Sequence, residues 1–138
     1  MSQVIGDLVE SLILATMLEI KENRRREQRI DSEIIVDAYD ETERALGWYY
    51  YLENKLNFPF RARCIGRRLT SPLAEGEVVQ VEAMAPEDEC MHEMFVEIVW
   101  QGRKLAVPLS QLQPIKVDIE ARGAVKDWHY WVTRGYQF

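Results

Sequence analysis

GEVVQVEAMAPEDECMHEMFVEIVWQGRKLAVPL, from Gly76 to Leu109, is the stretch on which the fold class turns. Apolar residues alternate with polar ones at Val79 and Val81, at Val96 and Ile98, and at Leu105 and Val107, the period of strands that bury one face. Strands are therefore expected at Glu77 to Ala83, Met94 to Gln101 and Lys104 to Leu109, separated by the Ala85-Pro86 loop and the Gln101-Gly102 turn. Upstream, Phe60 to Ile65 has the same period, and Ser71-Pro72 and Glu75-Gly76 punctuate the chain before the next strand. Downstream, Pro108, Ser110-Gln111-Leu112 and Pro114 predict one 3₁₀ turn and a short closing strand. Short strands in succession, with helices outside the run, point to an α+β chain built on a small antiparallel SH3-like β-barrel.

Outside that run the period is helical. Ile34, Ala38, Ala45, Tyr49, Leu52 and Leu56 mark one stripe. Asp40 followed three positions later by Glu43 reads as a capping box, so one helix should end near Tyr39 and a second begin after Asp40. That break would gather Asp37, Asp40, Glu41 and Glu43 around one turn, beside free carbonyls of the first helix's end. From Ile119 to Tyr136 a further helix puts Ala124, Trp128, Trp131 and Val132 on one side, with Gly135 as its stop. At the other terminus Val4, Leu8, Leu12, Ala15 and Leu18 fall on helical spacing, and the polar run Lys21 to Arg29 separates them from the body. The barrel is thus expected to be flanked by N-terminal helices and a C-terminal helix. Residues 1–25 are expected to form a helical extension, either loosely held and not needed by the fold or packed against a protein partner, a second copy or a membrane surface, and residues 26–138 a single domain.

Charge is segregated along the chain. Eight carboxylates and no lysine or arginine lie between Leu69 and Gly102, with Glu87, Asp88 and Glu89 adjacent at the centre. A second base-free window, Ile30 to Glu43, holds Asp31, Glu33, Asp37, Asp40, Glu41 and Glu43. At the chain's frequency of 17 bases in 138 residues the two windows should contain about six. Clustered like charges repel and raise the free energy of a fold, so a cation is expected to supply the missing charge. The net charge of −6 disfavours phosphate backbones and anionic membrane surfaces as partners. Asp7 and Glu10 stand where a secretion leader would carry bases, and two cysteines make no disulfide framework, so a cytosolic chain with reduced thiols is expected.

Calcium takes roughly six to eight hard oxygen ligands, which suits acidic loops. The Ala85 to Cys90 loop offers three consecutive carboxylates, yet neighbouring side chains in an extended segment point to opposite faces. Glu87, Asp88 and Glu89 would therefore need oxygens from elsewhere, and the Asp37, Asp40, Glu41 and Glu43 turn is the natural supplier. Against this stands a solvated acidic surface. No EF-hand loop occurs. Cys64, Cys90, His92 and His129 have poor spacing for structural zinc, and buried core thiols are the better reading. No glycine-rich phosphate loop or oriented nucleophile is present, so an enzyme is not expected. Trp48 to Tyr51 and Trp128 to Trp131 lack the basic groove of a base-stacking platform; they read as the packing seam between helices and sheet, tyrosine hydroxyls outward.

Several words of the sequence are familiar in this order: Val36-Asp37-Ala38-Tyr39, Gly47-Trp48-Tyr49-Tyr50-Tyr51-Leu52-Glu53, Phe58-Pro59-Phe60, Ser71-Pro72-Leu73, Pro86-Glu87-Asp88-Glu89-Cys90, Leu105-Ala106-Val107-Pro108-Leu109 and Asp127-Trp128-His129-Tyr130-Trp131. From about Arg26 to Phe138 the chain resembles the small acidic calcium-binding protein family best known from cyanobacteria. The resemblance implies a non-enzymatic cytosolic protein that binds calcium without EF-hands and buffers or senses the free ion. Matching positions that carry carboxylates are Asp37, Glu43, Glu53, Glu87, Asp88, Glu89 and Asp127. The other function class consistent with the residues is an interaction module, its acids steering a protein partner.

Overall fold

The computed structural model describes residues 2–138, with side chains from Ile5 onward. Met1 and the Val4 side chain, both counted in the N-terminal expectations, lie outside the described residues. Two compact units partition the chain, Met1–Val36 and Asp37–Phe138.

The first unit is one helix, α1 (Ser2–Arg29), running into a single π-helical turn at Ile30–Ile34. The Lys21 to Arg29 run, expected to set the N-terminal piece apart, is itself helical and continuous with the residues before it. Arginine, lysine, glutamate and glutamine are good helix formers, so the run loses its apolar stripe while keeping its helix. The expected break does occur, but earlier, after Ile34.

The second unit opens with helix α2 (Glu41–Lys55) and continues through β1 (Phe60–Cys64), β2 (Val78–Met84), β3 (Phe95–Trp100), β4 (Arg103–Pro108), β5 (Leu112–Ile115) and α3 (Ile119–Thr133). All strand pairings are antiparallel, in the order β4-β3-β2-β1-β5. The α+β class is as read from the sequence. The barrel is not: β4 and β5 are opposite edges of an open sheet, and β5, only four residues long, bonds β1 alone. Strand periodicity reports burial on one face and is silent about closure, which depends on edge pairing remote in sequence.

Turn chemistry fixes the hairpins. Gln101 and Gly102 both take positive φ, 50° and 75°, the pair needed to join β3 to β4 in two residues with Trp100 opposite Arg103. Between β2 and β3 the register shifts at Val81/Ala83. That bulge changes the parity of β2, so that after Val79 and Val81 the next buried strand residue is Met84 rather than Ala83. The inner face of the sheet (Ala62, Val81, Val96, Ile98, Val107, Leu112) is fully covered. Between α2 and α3 the seam is aromatic: Trp48 meets Trp128 at 5.1 Å and Trp131 at 5.5 Å between ring centroids. Gly135, at φ 77°, ends α3 as expected: its N–H bonds Val132 and the Tyr136 N–H reaches back to Trp131, closing a Schellman motif.

Candidate metal centre

The two acidic segments fold differently, and the difference decides what each can do. Asp37 adopts φ 59°, a left-handed position that aspartate tolerates better than most residues. Asp40 is the N-cap of α2, its Oδ1 accepting the Glu43 N–H at 2.8 Å. Glu43 reaches back, Oε2 accepting the Tyr39 N–H at 3.3 Å. Carboxylates in this first turn face the positive end of the helix dipole. Capping bonds and that dipole therefore supply part of the positive charge that the sequence lacks at Asp40, Glu41 and Glu43.

Glu87–Cys90 forms one 3₁₀ turn behind Pro86, with Glu87, Asp88 and Glu89 exposed and Cys90 buried. The turn rests on α2. The Tyr49 hydroxyl donates to the Ala85 carbonyl at 2.7 Å, and the Tyr50 hydroxyl donates to the Glu87 carboxylate. Glu53 lies one helical turn beyond these tyrosines. Burial, then Glu53, Cys90 and Glu87, push the Tyr49 hydroxyl up to about 12. The hydrogen bond to Glu87 is the main cause raising Tyr50, with Glu53 adding to it. Burial raises the Cys90 thiol, opposed by the Phe95 backbone and reinforced by Glu89 and Asp88. The two tyrosines thus sense Glu53 and Glu87, and the thiol senses Glu89 and Asp88. Among the described residues none of these four has an ion-pair partner.

Three other acids, two of them in the long window, have partners of their own. Arg68, from outside it, holds Glu93 by two parallel bonds of 2.9 Å. Glu77 accepts from the Trp100 indole at 2.8 Å and the Ala74 N–H at 3.0 Å. Asp127 is buried and accepts the Tyr51 hydroxyl at 2.9 Å. The three tyrosine hydroxyls, expected to point outward, are thus all bound to protein acceptors.

Glu53, named above only through the family resemblance, lies beside this turn's contacts on α2. Its signal was local: positions 49, 50 and 53 share one helix face, so whatever approaches the tyrosines meets Glu53 too. The remaining candidates are not assembled: no bond joins the Asp37 to Glu43 turn to the Glu87 to Glu89 turn. Among the described residues no three histidine, cysteine, aspartate or glutamate side chains converge to hold a metal ion. Cys64 and Cys90 are free, buried thiols, as expected.

A protein-family model described as calcium binding, that of CcbP, matches residues 28–132. The chain belongs to this calcium-binding family. The crystal structure of Anabaena CcbP matches with a TM-score of 0.74 at 44% identity, covering 83% of this chain and 94% of that one. A second solved structure, described as a calcium binding protein in the calcium-binding form, matches with a TM-score of 0.74 at 43% identity and the same coverage. None of the curated proteins matches the sequence. The CcbP family match begins at residue 28, so nearly all of α1 falls outside it.

Hard, exposed carboxylate oxygens without a base beside them fit a hard divalent cation in kind.

Proposed function

We propose that this chain binds calcium at the junction of α2 with the Glu87–Cys90 turn and serves as a buffer or sensor of the free ion in the cytosol. The observation that carries the reading is the exposed run Glu87, Asp88 and Glu89, whose turn is bonded to the α2 face that also carries Glu53, with no described base paired to any of the four. Family membership supports calcium as the cation, and the absence of an EF-hand loop from the sequence makes the site one of a different kind. Completion of the shell falls to backbone carbonyls and water, because consecutive side chains of one turn diverge. Asp37, Asp40, Glu41 and Glu43 are the secondary set: Asp40 and Glu43 are already engaged in capping, and ligation there would compete with the helix N-terminus.

The role is non-enzymatic in this reading. Cys90, the one nucleophile near the acids, is buried and held in its thiol form. Two reduced, buried cysteines suit a cytosolic setting. The acidic net charge argues against nucleic acid or membrane as a partner of the second unit.

Calorimetric titration tests the proposal. Saturable binding at micromolar to low-millimolar calcium, retained in excess magnesium, is expected, because magnesium demands a tight octahedron that loose carboxylates meet poorly. The Asp88→Asn, Glu89→Gln double variant should weaken binding at least tenfold. A flat wild-type titration would refute calcium binding, and an unchanged double variant would move the site away from the turn.

A further inference from the structure

Helix α3 sorts its charges by face. Its acids, with the N-cap Asp118, turn toward α2 and the loop after it. Asp127 accepts the Tyr51 hydroxyl at 2.9 Å, Glu120 lies 4.0 Å from the Lys55 ammonium, and Asp118 accepts the Asn57 amide at 2.8 Å. Its bases, Arg122 and Lys126, line a cavity of about 530 Å³ between α3 and β5. Ile65, Pro114 and Val125 supply the apolar lining of that cavity, and Gln113 and His129 complete it. No acid is among the residues that line it, in a chain with 23 acids and a net charge of −6. We propose that this groove binds a small organic dianion, a phosphate monoester or a dicarboxylate with an apolar body. The site shares no residue with the calcium reading and does not depend on it.

Charge and spacing select the occupant. Arg122 and Lys126 are four residues apart on one helix, so their side chains are neighbours, and like charges so placed repel. Among the described residues neither has an ion-pair partner. Arg63 adds a further base at the rim: it is exposed and stands opposite Gln113 in the β1–β5 ladder. A monoanion offsets one base of the pair, whereas a dianion offsets both. The guanidinium fork of Arg122 takes two oxygens side by side, and Lys126 takes another as a point charge. A phosphate monoester brings three such oxygens and about −1.5 to −2 of charge near neutral pH. The cavity also has the size of a small-molecule site, which usually spans roughly 300 to 1,000 Å³. An extended peptide is the poorer occupant, because the outer edge of β5 offers it no N–H. Pro114 has none, and Leu112, turned the same way, gives its own to the Leu109 carbonyl. His129 Nε2 lies 3.3 Å from that carbonyl, and burial favours its neutral ring, so the charge of the groove is that of the bases.

Thermal melting of the full chain without calcium, at constant ionic strength, tests the groove with phenyl phosphate and with phenylsuccinate. At least one of the two should raise the midpoint saturably, and the one that does identifies the anion as phosphate ester or dicarboxylate. Phenol, which has the apolar body and no charge, should leave the midpoint where it is, and inorganic phosphate should act more weakly than phenyl phosphate. The Arg122→Gln, Lys126→Gln variant changes two exposed positions, so it should fold and keep the calcium titration of the wild type. Its apparent affinity for the dianion should fall at least tenfold. A wild type that responds to neither dianion would overturn the site, and a response that persists in the variant would overturn the assignment to this groove. Equal responses to inorganic phosphate and phenyl phosphate would overturn the organic ligand.

Discussion

Asp40 is a candidate carboxylate whose structural task is visible. Its side chain accepts the Glu43 N–H at 2.8 Å and caps α2. Asparagine caps as well as aspartate, whereas alanine accepts nothing. Asp40→Ala should therefore cost about 1 kcal/mol in urea denaturation and Asp40→Asn close to nothing. Neither should change the calcium titration. Tyr49 and Tyr50 serve as reporters on the other carboxylates. Ionising either hydroxyl adds a negative charge beside Glu53 and Glu87, which is one reason both are raised. A divalent cation on those carboxylates stabilises the phenolate, so saturating calcium should lower the absorbance midpoint of tyrosine ionisation. Tyr50 should move more than Tyr49, whose shift is set first by burial. Midpoints that ignore calcium would place the ion elsewhere.

At the scale of elements, the Glu87–Cys90 turn trades stability for charge. Replacing Asp88 and Glu89 by their amides removes like-charge repulsion, so without calcium the Asp88→Asn, Glu89→Gln variant should unfold at slightly higher denaturant, by roughly 0.5 kcal/mol. A loss of stability there would mean that the acids make bonds within the turn. Features encoded within a few residues were readable before any coordinates: the Asp40 cap, the Gly135 stop, the strand period, and the 3₁₀ turn now seen at Leu109–Gln111. Those that depend on distant pairing were not. Nothing in the Leu112–Ile115 period says that β5 bonds only β1, and nothing near Val81 announces the register shift. Similarly, the acidity of Glu87 to Glu89 was visible, but the docking of their turn on the tyrosines of α2 was not. At Lys21 to Arg29 amphipathic pattern and helix propensity are separate signals, and only the first stops there.

Across the whole molecule, acid and calcium should act on stability in opposite directions. Burial pushes the His129 imidazole below the ordinary histidine value, although the Leu109 and Leu112 carbonyls oppose the shift. A depressed folded value means that folding favours the neutral ring. Its contribution is present above about 6.5, the unfolded value, and is lost as the pH falls through the lower folded one. The stability difference between wild type and His129→Gln should thus shrink from pH 7 toward about pH 5 in denaturant titrations, and a difference independent of pH would remove the histidine from the account. Calcium works through mass action. An ion bound by the folded chain and not by the unfolded one stabilises by about 2.7 kcal/mol at a hundred times its Kd. For a chain of this size each kcal/mol raises Tm by roughly 2 to 4 °C, so calorimetric melting should rise by about 5 to 10 °C. Magnesium at the same concentration should give much less, and the Asp88→Asn, Glu89→Gln variant should lose most of the calcium response. An equal rise with both metals would reduce the four carboxylates to a screened acidic surface, because simple charge neutralisation does not distinguish two divalent ions, whereas a site with its own oxygen geometry does.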